Sequence, residues 1–157
     1  MSDVLGVLLA ALDAAYDRHG WHGTTLRNAV RRVRAEEALW RPGEGRHNIW
    51  ELTVHAAYWK SVARRRLTGG KRGGFPMKGS NWIAAPPDAN WEEAVALLES
   101  EHAAWRAAVA SVDPAALDDP KKVRLVYGVT AHDVYHTGQI QLVRALRAAR
   151  FSRSRKA

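Results

Sequence analysis

The chain reads as an all-α protein: a four-helix bundle with short additional helical pieces and one long loop rich in glycine and proline. Three observations point there. No segment sustains the period-two alternation of a half-buried strand, whereas four stretches repeat apolar residues at helical spacing. Two of those stretches open on Asn48 with Glu51 and on Asn90 with Glu93, the asparagine-to-glutamate spacing of a capping box. The 157 residues contain no internal repeat, so one domain is expected over residues 1–150. A basic tail without fixed structure is expected at 151–157.

Taken in order, residues 3–18 form the first amphipathic stretch, with Val4, Leu5, Leu8, Leu9, Leu12, Ala15 and Tyr16 on one face and Ser2 as N-cap. Gly20 and Gly23 interrupt it. Thr24 or Thr25 caps a second piece striped by Leu26, Ala29, Val30 and Val33, and a short turn follows before Pro42 and Gly43. The next long helix starts at Asn48, buries Leu52, His55, Ala56, Trp59, Val62, Ala63 and Leu67, and ends at Gly69 and Gly70.

A loop then runs from about 69 to 87, with five glycines and three prolines. It carries Phe75, Met77, Trp82 and Ile83, which favour a loop packed over something rather than a free one. Its Gly-Gly-Lys-Arg-Gly-Gly core lacks the ending of a phosphate-binding loop and follows no strand. Asn90 opens a third helix reaching about Val112, and Asp113-Pro114 starts a short turn. Pro120 falls in a linker, and the last helix is expected from about Leu125 to Ala149.

Composition narrows the chemistry. There are no cysteines, which excludes disulfides and thiolate ligands, so a metal site must use nitrogen and oxygen donors. No apolar run approaches the roughly 18 residues of a membrane span, and no secretory signal opens the chain. No membrane association is expected, and the simplest location is the cytoplasm. The net charge of +8 invites a nucleic-acid reading. The cations are scattered, however, between the tail, the glycine-rich loop and the end of a helix at Arg64, Arg65 and Arg66, where they oppose the helix dipole. A basic solvated surface explains them, and nucleic acid is not an expected partner.

The histidines carry the functional reading. His132 and His136 are four residues apart in the last helix and leave it on the same face about one turn apart. Two imidazoles leave coordination positions to fill, and His55, inward-facing in another helix, is the best third ligand. The alternative is a set of core histidines satisfied by Tyr135 and Gln139. Glu51, one turn before His55, is a candidate fourth ligand or base, although its capping role explains it equally well. Asp133 lies about 100° around the helix from His132 and does not share its geometry. His102 reads as a buried histidine bonded to a backbone carbonyl, and His19, His22 and His47 read as loop or cap residues.

Three segments together resemble a known family: Ala38-Leu-Trp-Arg-Pro42, His47-Asn-Ile-Trp-Glu-Leu-Thr-Val-His55-Ala-Ala-Tyr-Trp59, and Tyr127-Gly-Val-Thr-Ala-His132-Asp-Val-Tyr-His136-Thr-Gly-Gln-Ile140. They are similar in pattern to the DinB-like (YfiT-type) proteins, a likeness running from about residue 3 to 149. The glycine-rich loop and the basic tail stand outside it. The resemblance implies a four-helix bundle, often a homodimer, that holds a divalent ion, typically nickel or zinc, on three histidines. Carried over, these are His55, His132 and His136.

The family includes metal-dependent hydrolases, transferases and isomerases that use a low-molecular-weight thiol, and members without known activity. Two functions are therefore expected to compete. One is a metal-dependent hydrolase or thiol-dependent transferase acting on a small molecule, with Tyr135, Gln139 and Glu51 orienting substrate or relaying protons and Trp59 walling the pocket. The other is a non-enzymatic, metal-stabilised dimeric bundle acting in stress or as a binding module.

Overall fold

The computed structural model describes residues 4–71 and 73–153. Among these residues six α-helices follow one another: α1 (Val4–Tyr16), α2 (Leu26–Val30), α3 (Ala35–Ala38), α4 (Ile49–Thr68), α5 (Trp91–Ala110) and α6 (Pro120–Arg153). A single 3₁₀ turn, Pro114–Asp118, joins α5 to α6. Among the described residues there is no strand, only an isolated bridge between Gly20 and Gly23. The four long helices make the bundle. α4 packs most extensively on α5 and also lies along α6, while α1 closes the ring against α6 and α5.

The helix ends follow the expected chemistry closely. The Asn48 side chain accepts from the Glu51 amide at 2.8 Å, and the Glu51 carboxylate reaches back to the Asn48 amide at 3.4 Å. This closes both halves of a capping box and fixes the register of α4. At α5 only half of the device forms: Asn90 accepts from the Glu93 amide at 3.1 Å, while Glu93 returns to the Asn90 side chain. Gly69 ends α4 with φ of 71°, a left-handed conformation that costs glycine nothing, and its amide satisfies the Arg65 carbonyl.

Two boundaries differ from the sequence reading. α6 begins at Pro120 rather than about Leu125, because the proline occupies a first-turn position where no amide is missed and Asp119 accepts from the Lys121 amide at 2.9 Å. α6 also runs through Arg153, into the stretch read as tail; residues 154–157 lie outside the described residues, as does Ser2, the expected cap of α1.

The interior is apolar at both ends of the bundle and polar across its middle. One apolar cluster joins α2, α3 and the first half of α4 to the start of α5, and includes Leu26, Ile49, Leu52, Leu98 and Ile140. The other gathers Leu8, Leu12, Ala63, Trp105, Val109 and Val126. Along three of the long helices a residue between those clusters is polar: Lys60 on α4, His102 on α5 and Asp133 on α6, all buried. The candidate site opens at the edge of this layer.

Candidate metal centre

His55 is set on the inner face of α4 by the cap at Asn48, and His132 and His136 come from successive turns of α6. The packing of α4 along α6 brings the three rings together. The His132 Nε2 lies 3.1 Å from the His55 Nε2 and 2.9 Å from the His136 Nε2. One ring nitrogen from each residue falls within 4.8 Å of the others, so the group could hold one metal ion. The sequence pairing of His132 with His136, and the choice of His55 as their partner, correspond to this convergence. His55 and His136 are buried and His132 is half-buried.

The second nitrogens explain why the Nε2 atoms meet. The His55 Nδ1 lies 3.0 Å from the backbone carbonyl of Asn81, which can only accept, so this nitrogen carries the proton and Nε2 keeps its lone pair. The His136 Nδ1 donates to the Gln139 Oε1 at 2.6 Å, and the Gln139 amide donates in turn to the Tyr135 hydroxyl at 3.2 Å. Two lone pairs therefore point at the His132 Nε2. A proton on that nitrogen satisfies only one of them, and it leaves the His132 Nδ1 as a buried acceptor with no partner among the described residues. At least one contact between lone pairs persists without a cation. A divalent ion held by the three Nε2 atoms would remove the conflict, since every lone pair would then face a cation.

Burial also keeps the rings in the ligating form. It pushes His132 down to about 3, with the neighbouring His136 and His55 adding to the effect. It pushes His136 down to about 4, and it lowers His55 despite the opposing bond to Asn81. All three imidazoles are thus neutral at physiological pH.

The long loop covers the site. Its Trp82 ring lies flat between two imidazoles, 3.7 Å from the His55 ring and 3.6 Å from the His47 ring, each within 7° of parallel. Asn81 has φ of 58°, a left-handed conformation that asparagine tolerates, and this turn aims its carbonyl at His55. The Asn81 side chain accepts from the Trp59 indole at 2.9 Å. Trp59 stands edge-on to His55 and His132, as a wall of the site. Asn81 and His47 were not read as site residues, and Trp82 only as part of a packing loop. The available signal was the cluster of large apolar residues in a glycine-rich loop.

The remaining candidates separate. Gln139 and Tyr135 sit beside the cluster, as a chain from His136 to solvent, with the Tyr135 ring exposed. Glu51 lies outside the convergent trio. Arg41 grips both of its oxygens at 2.6 and 3.0 Å, and His47, the Asn48 amide and the Ala85 amide also reach it. Burial alone would raise this carboxyl, but the bonds from Arg41 and His47 hold it below the usual carboxylate range. Glu51 is thereby an architectural anion that ties the loop before α4, the start of α4 and the covering loop together. His102 is buried as expected but stacks on Tyr16, with centroids 3.3 Å apart, and its Nδ1 has no partner among the described residues. Burial pushes it down to about 3.

Behind the trio lies an ion pair that the sequence reading passed over. The Lys60 ammonium bonds the Asp133 carboxylate, and the two side chains are 1% and 2% exposed. Lys60 follows Ala56 by four residues and precedes Ala63 by three, so it belongs to the inward face of α4. Asp133 points away from His132 into the bundle, as its position around α6 requires. Burial raises its carboxyl, against the pull of the lysine.

A family model for the DinB superfamily matches residues 8–140. The chain belongs to the DinB superfamily. The match spans α1 to the middle of α6 and so takes in all three converging histidines. No curated protein and no solved structure matches the chain. In this DinB-superfamily chain no helix, among the described residues, is long and apolar enough to cross a membrane.

Proposed function

We propose that this DinB-superfamily protein holds one divalent transition-metal ion on His55, His132 and His136, and acts with it on a small molecule as a hydrolase or a thiol-dependent transferase. The observation that supports this best is the meeting of three neutral imidazole Nε2 atoms, at least one pair of which faces lone pair to lone pair. Nickel and zinc suit a set of nitrogen donors without thiolates. When bound through three neutral ligands, such an ion supplies Lewis acidity and draws the proton from a water or thiol near neutral pH.

The chain's own residues do the rest. The Asn81 carbonyl and the Gln139 amide hold two ligand rings in their required tautomer. The Tyr135 hydroxyl, tied to Gln139 and facing solvent, is placed to meet an arriving polar group. Trp59 and Trp82 wall the site and restrict water.

Elemental analysis of protein purified without a polyhistidine tag tests the proposal. About one divalent ion per chain is expected, lost in His55→Ala and in His132→Ala; protein that is folded, metal-free and unable to take up nickel or zinc refutes it. Ester and amide hydrolysis assays, run beside thiol-transfer assays with and without a low-molecular-weight thiol, then separate the two reactions.

A second reading, a metal-stabilised dimeric bundle without turnover, draws support from the outer side of α6. There Tyr127, Leu142 and Leu146 are exposed, at 65%, 59% and 46%. Light scattering on the native chain and on Leu142→Glu tests the homodimer, which should fall to monomer in the variant. A large chelator-sensitive rise in melting temperature with no activity in any screen favours this reading over the enzyme.

A further inference from the structure

A large cavity lies beside the histidines rather than at them. A cleft of roughly 640 Å³ opens between the last turns of α4 and the glycine-rich loop, and its walls include Tyr58, Trp59, Arg65, Arg66, Phe75 and Met77. That volume falls in the range of small-ligand sites, about 300–1,000 Å³. The aromatic side is pre-packed: the Tyr58 ring meets Phe75 edge-on at 5.3 Å and Trp59 edge-on at 5.7 Å.

The charge in this cleft meets no carboxylate among the described residues. Five arginines elsewhere on the bundle face carboxylates: Arg27 on Glu99, Arg41 on Glu51, Arg64 on Glu101, Arg106 on Asp13 and Arg144 on Glu37. Arg65 and Arg66 have no carboxylate partner among the described residues. Arg65 reaches the Lys71 carbonyl, at 3.4 Å, and its buried Nε has no partner among the described residues. Arg66 lies over the Trp59 ring at 5.8 Å. Cations at a helix C-terminus oppose the dipole wherever they point. Here both line a concave aromatic wall, where a guanidinium fork is suited to an anion.

Trp59 connects this cleft to the proposed metal centre. Its ring centroid is 6.4 Å from that of His55 and 6.5 Å from that of His132, and its indole is held by Asn81. We infer that the cleft is the substrate-binding subsite of the histidine centre, and that it takes a small molecule with an aromatic or apolar body and one anionic group held by Arg65 and Arg66. This rests on the catalytic reading above: the body packs on Tyr58, Trp59 and Phe75, and the reactive end passes the Trp59 edge toward the histidines.

The test uses two probes of similar shape and different charge, anilinonaphthalene sulfonate and uncharged phenylnaphthylamine, titrated into full-length, chelator-treated protein. The sulfonate is expected to bind about tenfold more tightly than the neutral probe, a difference of about 1.4 kcal/mol. The double variant R65Q/R66Q should lose that preference and Arg64→Gln should keep it, since Arg64 already faces Glu101. In nitrogen-resolved NMR the sulfonate should shift the Trp59 indole N–H signal, identified by its absence in Trp59→Phe. Equal affinity for the two probes, an unchanged preference in R65Q/R66Q, or a Trp59 signal that stays put overturns the inference. Failure of the catalytic reading looks different: a chain that never takes up metal yet still prefers the sulfonate keeps the anion cleft and loses only its link to chemistry.

Discussion

Replacing Lys60 by methionine isolates the cost of the polar layer. Methionine keeps most of the length of the lysine stem, so little cavity is created and the change is chiefly one of charge. Because the side chains of Lys60 and Asp133 are 1% and 2% exposed, neither partner can turn to water when the other is lost. Removing one member of such a pair costs about 3–5 kcal/mol, whereas replacing both with apolar residues is often close to neutral. Against a total stability of about 5–15 kcal/mol that is a large fraction, and at about 2–4 °C per kcal/mol for a chain of this size the melting temperature should fall by about 6–20 °C.

The assay is urea unfolding in the presence of chelator, so that ion binding does not contribute, on Lys60→Met, Asp133→Ala and the double variant. The two single variants should each lose about 3–5 kcal/mol, and the double variant should recover enough that the coupling exceeds about 2 kcal/mol. Additive single losses would show that the two side chains do not act as a buried pair, and the account of the layer would fail.

Three further outcomes follow from the site and its frame. Glu51→Ala should cost about 2–4 kcal/mol, by opening the cap of α4 and leaving Arg41 and the loop amides without their acceptor, yet retain one ion per chain; loss of metal at unchanged stability would reinstate Glu51 as a ligand. Trp82→Ala removes the ring packed between His47 and His55 and should weaken nickel or zinc affinity about tenfold at unchanged stoichiometry, whereas unchanged affinity in competition titrations would mean that the covering ring does not orient His55.

The third concerns pH. Asp13 is held below its usual value by its hydrogen bonds to Arg106, at 2.6 and 2.8 Å, so its contribution is present above the unfolded carboxylate value near 4 and is lost as pH falls through the lower folded value. Arg106 is 44% exposed, and solvent limits the effect to about 0.5–1 kcal/mol. Arg106→Gln should therefore narrow its stability gap to wild type in acid; a gap that widens as pH falls would contradict the sign.

Much of the frame was legible because helices declare themselves locally. The Asn48 and Glu51 spacing placed the start of α4 to the residue and with it the inward direction of His55, and the four-residue spacing placed His132 and His136 on one face. The sequence reading starts α6 late because it assigns Pro120 to a linker, where a proline at the first helical position is an opening. What orients the histidines was not legible. The Asn81 carbonyl and the Trp82 ring reach His55 from a loop without periodicity, across sequence separations that no local pattern encodes. Lys60 was hidden for the opposite reason: a charge on an apolar face reads as a break in the stripe until its partner on another helix is known.

The covering loop has a consequence for how this protein can be studied. The hydrogen-bond acceptor that sets the tautomer of His55, and the ring that packs against it, come from a segment held to the bundle mainly by side chains. Ion uptake by the proposed site should therefore be coupled to the stillness of residues 75–90. Amide hydrogen exchange in that segment should slow when nickel or zinc is added while α1 hardly responds, and a protease that clips there should be a sensitive gauge of how full the centre is.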